Sequence, residues 1–146
     1  MIKAGQYGLA IKILSFSLAP PMKFEVARSR YVCVVNLAQA YKWSSDEKRC
    51  QEIIRAEDWS AAPLDLKLAV AVLKDEYEEA VLLMKKIGTS GEVAKKDYQE
   101  WPLFKSFRST KQFVAAYREI FKTEIEISDV PSEVASVLHL PRETTE

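Results

Sequence analysis

Glycine and histidine are scarce in this chain, with four glycines and one histidine in 146 residues. Phosphate-cradling loops are built on glycine, and none of the Gly-Lys-Ser kind is present. Histidine is the usual proton shuttle and metal ligand, so most histidine-based catalysis is excluded as well. Cys33 and Cys50 are the two cysteines, too few for a disulfide scaffold. Each stands at a small-residue position of a helical pattern and reads as a buried free thiol. Neither sign of charge prevails, with 21 basic and 21 acidic side chains. That balance removes the simple electrostatic case for a nucleic-acid or membrane-surface partner. No window approaches the ~18 apolar residues of a membrane span. The run Ile13 to Ala19 before Pro20 and Pro21 imitates a secretion signal. It is only about seven residues long, with Lys12 at its edge, so a cytoplasmic chain is expected.

What remains is 48% apolar and 29% charged, the composition of a folded domain. The reading is one helical-repeat domain over 1–127, followed by a short helix and frayed acidic tail over 128–146. Charge is lopsided within the zero sum. Residues 1–43 carry Lys3, Lys12, Lys23, Arg28, Arg30 and Lys42 against Glu25 alone, whereas 122–146 carry two basic and six acidic side chains.

Helical periodicity dominates, and no hairpin signal competes with it. Tyr7, Ala10, Ile11, Leu14 and Leu18 share one face of a first helix, with Leu9, Ile13 and Phe16 forming a second apolar face. Pro20 and Pro21 end it, because proline has no N–H to donate. A long helix is expected over Met22 to Trp43, with Phe24, Ala27, Tyr31, Val34, Ala38 and Tyr41 as its apolar stripe. Ser44 and Glu47 have capping-box spacing and predict the next helix, to about Asp58. Pro63 suits the first turn of a fourth, which is apolar on both sides. The fifth carries Tyr77, Ala80, Val81, Met84 and Ile87 and ends at Gly88. After a loop over Thr89 to Lys96 comes a dense aromatic segment: Tyr98, Trp101, Phe104, Phe107, Phe113, Tyr117 and Phe121. Pro102 suits a short helix there. Ser109 with Gln112 predicts a last long helix to Phe121, and Asp129 to Leu138 a further short one.

The second member of each helix pair places a small residue four before a large apolar one: Ala10 and Leu14, Cys50 and Ile54, Ala80 and Met84. In the best copy Leu37-Ala38 and Tyr41 precede Cys50 and Ile54. That pattern resembles a tetratricopeptide repeat. Gly5, Tyr7, Ala10 and Leu14 are similar to the second half of another copy, and Leu68-Ala69, Tyr77 and Ala80 to a third. The chain departs from the family at Ser45, where a turn glycine is usual, and at Val34, where tryptophan is usual. The aromatic segment from Tyr98 to Phe104 is similar to the closing segment of uncharacterised bacterial repeat proteins. The resemblance implies an all-α array of antiparallel helix pairs, a superhelix with an aromatic C-terminal helical cap.

Catalytic chemistry is thin. His139 is alone, without ligands at metal spacing. Asp75, Glu76, Glu78 and Glu79 crowd a helix start, where the dipole favours acids. The expectation is therefore no enzyme, no metal and no cofactor, but an adaptor that binds another protein or peptide. In the tetratricopeptide-like arrangement the first helices line a concave face. The matching strip is Arg28, Asn36, Gln39, Lys42 and Trp43, beside Val32 and Val35, suited to an acidic or C-terminal peptide. A second surface is expected on the N-terminal helix, through Tyr7, Leu9, Ile13 and Phe16. With only four residues before it this helix lacks a first-helix partner, so a second copy of the chain or a separate protein would cover it. An alternative reading is nucleic-acid or nucleotide-signal binding by Lys12, Lys23, Arg28 and Arg30 with Tyr7 and Tyr31, disfavoured by the neutral sum. Another is that the chain is the C-terminal repeat part of a larger enzyme system.

Overall fold

A computed structural model describes residues 6–18 and 27–125 of the chain. All regular structure among these residues is helical: α1 Tyr7–Leu18, α2 Ala27–Trp43, α3 Glu47–Arg55, α4 Leu64–Leu73, α5 Tyr77–Ile87, α6 Lys95–Glu100, a 3-10 turn Pro102–Phe104, α7 Lys105–Arg108 and α8 Lys111–Phe121. Pro20, Pro21, the start of the long helix before Ala27, His139 and the short helix expected at Asp129 to Leu138 lie outside the described residues, as does the whole 128–146 tail.

Helix ends follow side-chain chemistry, shifted slightly from expectation. Ser44 does not cap α3. Its hydroxyl donates back to the Tyr41 carbonyl (2.9 Å), closing α2 instead. The cap is Asp46, whose carboxylate accepts from the Arg49 N–H at 3.1 Å. α3 stops at Arg55, short of Asp58, where the Trp59 indole N–H takes up the Ile54 carbonyl at 2.8 Å. At α8 the cap is Thr110 rather than Ser109, its hydroxyl oxygen accepting from the Phe113 N–H. Ser109 still belongs to the right-handed end of α7.

Two helix–turn–helix units repeat with a thirty-residue offset. α2 ends at Trp43 and α4 at Leu73; α3 begins at Glu47 and α5 at Tyr77. The turns match bond for bond. The Asp46 N–H donates to Tyr41 and the Glu76 N–H to Ala71, five residues back in each case. Ser45 (φ 69°) and Asp75 (φ 58°) occupy the same left-handed position, one that costs a non-glycine residue on the order of 1–2 kcal/mol. Cys50 and Ala80, both fully buried, fall at equivalent places in the second helices, where a small side chain lets the paired helices approach.

α2 and α4 lie side by side and run parallel. Arg28 at the start of α2 bonds Asp65 at the start of α4, and Lys42 at the end of α2 bonds the Leu73 carbonyl at the end of α4. α1 packs on α2, α3 on α2, α5 on α4 and α8 on α5. α4 is central, with every side chain from Leu66 to Leu73 except Lys67 buried. This explains why its sequence is apolar on two sides.

The aromatic segment closes the array beyond α5. Tyr98, Phe104, Phe107, Phe113 and Tyr117 are fully buried. Phe107 stacks on Tyr77 of α5 at 5.3 Å and meets Phe113 edge-on at 5.0 Å, so α7 is riveted between α5 and α8. Trp101 and Trp59 are half-buried wedges at helix junctions. Trp101 meets Phe104 edge-on at 5.0 Å, and Trp59 lies 5.2 Å from Tyr31. The Arg108 guanidinium donates to the carbonyls of Gln99 and Trp101, holding the corner between α6 and the 3-10 turn.

Candidate functional site

The expected strip on α2 needs correcting. Arg28, Asn36, Gln39, Lys42 and Trp43 do share one side of the helix, but that side is a seam and not an open groove. Gln39 is wholly buried, and neither end of its amide has a hydrogen-bond partner. Val35 is buried with it and Val32 packs on the core. Arg28 forms a fork to Asp65, with Nη1 to Oδ1 at 3.1 Å and Nη2 to Oδ2 at 2.6 Å. It also reaches Glu92 at 3.2 Å, in the loop before α6. Lys42 donates to the Leu73 carbonyl at 2.7 Å and to Asp75 at 2.9 Å. Trp43 meets Tyr7 of α1 edge-on at 6.1 Å. Asn36 is half-buried. The physical reason is that α2 has neighbours on three sides, α1, α3 and α4. Arg28 and Lys42, expected to face a peptide, are used instead in joining the two repeat units.

Electrostatics agrees with a structural role. The Arg28 guanidinium is raised above its ordinary value, by its hydrogen bond to Asp65 against the cost of burial. Burial pushes the Asp65 carboxyl up, but the hydrogen bonds it accepts, from Arg28 first and from the Leu66 backbone, together with the charge of Arg28 and the side chain of the neighbouring Glu92, outweigh it, and the carboxyl ends below its usual range. Asp65, Glu57 and Glu92 carry no motif, which is why the sequence did not single them out. The available signal was Asp65 itself, an acid just after Pro63 in an otherwise apolar helix start.

The residues considered for a phosphate-bearing partner are mostly engaged. Arg30 pairs with Glu57, and its guanidinium is raised by that hydrogen bond. The Tyr31 hydroxyl donates to the Asp58 carbonyl at 3.1 Å. Tyr7 packs on Trp43, Lys12 is exposed, and Lys23 lies outside the described residues. The thiols are not activated either. Burial pushes the Cys50 thiol up to about 12 and raises the half-buried Cys33 thiol. Among the described residues no group of three or more His, Cys, Asp or Glu side chains is placed to hold a metal. No described helix is long and apolar enough to cross a membrane.

The N-terminal surface has a different character. Leu9 is 57% exposed, Ile13 57% and Phe16 73%, and they stand one above another on the outer side of α1. Tyr7 is not part of this stripe; it belongs with Ala10, Ile11 and Leu14 on the half-buried side toward α2. No residue of α1 is fully buried, although the helix carries one charged side chain, Lys12. Among the described residues the two other large exposed apolar side chains, Leu64 and Leu82, sit on different helices, α4 and α5. The α1 stripe is therefore the most concentrated exposed apolar feature of the described surface. No family model, curated protein or solved structure matches the chain.

Proposed function

We propose that this protein is a non-catalytic helical-repeat adaptor of the tetratricopeptide kind, which binds another protein or a peptide through the outer side of α1. The observation that carries the reading is the exposed row Leu9, Ile13 and Phe16 on a helix that buries none of its residues fully. Scattered apolar side chains on a surface need no explanation, whereas three in one helical row mark an interface. The repeated turns at Ser45 and Asp75 and the parallel α2 and α4 support the repeat character. The α2 strip has no part in this reading, since Arg28 and Lys42 bond α4, Trp43 meets α1 and Gln39 is buried.

The test is site-specific photocrosslinking in the native host. A photoreactive residue at position 13 is compared with one at position 82, because Ile13 and Leu82 are almost equally exposed, at 57% and 55%. Stoichiometric capture of one polypeptide at position 13 and not at 82 is the expected result. Equal capture at both positions, or none at 13, refutes an interface on α1.

A further inference from the structure

The outward row of α1 has the spacing of a helix seam. Leu9, Ile13 and Phe16 stand four and then three residues apart, the alternation of the inward positions in a coiled coil. Ile13 falls where a β-branched side chain favours two parallel strands, and Leu9 and Phe16 fall where leucine is favoured. Gln6, exposed and joined to the first turn by the Ala10 N–H, stands one step earlier on the same seam. The rest of the helix agrees with this placement. Tyr7, Ala10, Ile11, Leu14 and Leu18 are half-buried on the opposite side, where Tyr7 meets Trp43 of α2. We propose that the outer side of α1 pairs with the same side of α1 in a second copy of the chain, the two helices running parallel about a two-fold axis. The proposal rests on the reading of α1 as an interface and names its occupant.

Charge sets the direction. Lys12 is the one charged side chain of α1, exposed on one flank of the row. A two-fold axis across antiparallel helices brings identical flanks together. Lys12 would then lie beside Lys12 of the second copy, with no acid on α1 to separate them. An axis along parallel helices sends identical flanks to opposite sides of the seam. Lys12 then faces Ser17 of the second copy, a neutral residue whose hydroxyl donates to its own Ile13 carbonyl at 3.0 Å. Like meets like along the seam, in layers of leucine, isoleucine and phenylalanine. α2 packs behind α1, on the side away from the row, so it does not stand in the way.

Area sets the strength. Phe16 is 73% exposed, and Leu9 and Ile13 57% each. A large aromatic side chain carries about 150–250 Å² and the aliphatic ones somewhat less, so the row offers roughly 300–450 Å² per copy. Pairing two rows buries roughly 600–900 Å² in total, below the ~1,200 Å² at which lasting complexes begin. The dimer is therefore weak and reversible, with a Kd of about 10⁻⁴–10⁻³ M. At lower concentration the row stands free for another polypeptide.

The experiment uses the full chain throughout. Sedimentation equilibrium from micromolar to millimolar concentration should show monomer passing to dimer and to nothing larger. Ile13→Glu should weaken that association about thirtyfold or more, as loss of a central contact does. Leu82→Glu, at an almost equally exposed position on α5, should associate like wild type. Both positions are exposed, so thermal melts should match wild type and exclude misfolding as the cause. Gln6→Cys leaves the row intact and reports direction. Parallel helices bring the two position-6 thiols within disulfide reach, ~6 Å between Cα atoms, whereas antiparallel helices put each beyond the far end of the other row. Mild oxidation at millimolar concentration should therefore convert Gln6→Cys to a covalent dimer, and not wild type, whose thiols are Cys33 and Cys50. A wild type that stays monomeric at millimolar concentration overturns the proposal. So does association that Ile13→Glu leaves unchanged, or a dimer in which Gln6→Cys stays reduced. Capture of a different polypeptide at position 13, beside a monomeric wild type, keeps α1 as an interface and assigns it to another protein. Failure of α1 as any interface shows separately, as absent capture at position 13.

Discussion

Replacing Gln39 by methionine should stabilise the protein. The side chain is 0% exposed, and both its amide nitrogen and its amide oxygen lack a partner. Burying an amide without compensation costs about 1–3 kcal/mol on the scale of protein substitutions. Methionine has nearly the length of glutamine, no branch at Cβ and a similar helix propensity, so the packing and backbone terms almost cancel. The gain expected for Gln39→Met is therefore about 1–3 kcal/mol, or roughly 2–10 °C in Tm for a chain of this size. Urea unfolding should show a higher midpoint at an unchanged slope, because the buried area is the same. Gln39→Glu gives the opposite sign. Its carboxylate would be charged in a seam without a partner, so the loss should be largest at neutral pH and shrink toward pH 4, as the neutral acid takes over. If Gln39→Met instead costs more than about 1 kcal/mol, the amide is hydrogen-bonded and the account of the α2–α4 seam is wrong.

Three further predictions concern the scaffold. Ser45→Gly should stabilise by about 0.5–1 kcal/mol, since glycine accepts the left-handed turn freely. Asp75→Gly should not, because Asp75 also accepts from Lys42 at 2.9 Å and from the Tyr77 hydroxyl at 3.1 Å; thermal melts of both variants decide. Phe107→Ala removes a wholly buried ring that touches Tyr77, Phe104 and Phe113, and chemical denaturation should register a loss of about 3–5 kcal/mol. A loss under about 1 kcal/mol would mean that α7 is not the rivet described. Asp65 is held below its ordinary range, so the stability it contributes is present above about pH 4 and disappears as pH falls through its folded value. Asp65→Asn should accordingly be less stable than wild type at pH 7 and lose less on acidification, and parallel acid limbs for the two proteins would contradict the Arg28–Asp65 clamp.

Much of the architecture was legible because local chemistry dictates it. Gly88 ends α5 with φ 62°, Pro102 opens the 3-10 turn, and the two-sided apolar pattern of α4 matches its central place. Cap positions were misplaced by one or two residues where several hydroxyl and carboxylate side chains compete within one turn, as at Ser44 and Asp46. The α2 strip was misread for a deeper reason. Periodicity shows which residues share a face, but not what lies opposite. Arg28, Gln39 and Lys42 look solvated from their own helix alone. Only the parallel placement of α4, with Asp65 at one end and the Leu73 carbonyl at the other, turns their side inward. The stripe at Leu9, Ile13 and Phe16 was legible because a helix with two apolar sides that packs one of them on α2 leaves the other over.

Uneven burial along the array also sets the order in which it comes apart. The helices around the aromatic cluster hold one another through rings with no exposed surface, while α1 is held mainly by half-buried contacts on α2. Opening free energies therefore rise from α1 toward α4, α5 and α8, and amide hydrogens of α1 exchange with solvent long before the protein unfolds globally. A partner seated on α1 would do more than occupy a face. It would bring the least anchored helix up toward the stability of the rest, so that binding is read out as protection in a segment that otherwise opens by itself.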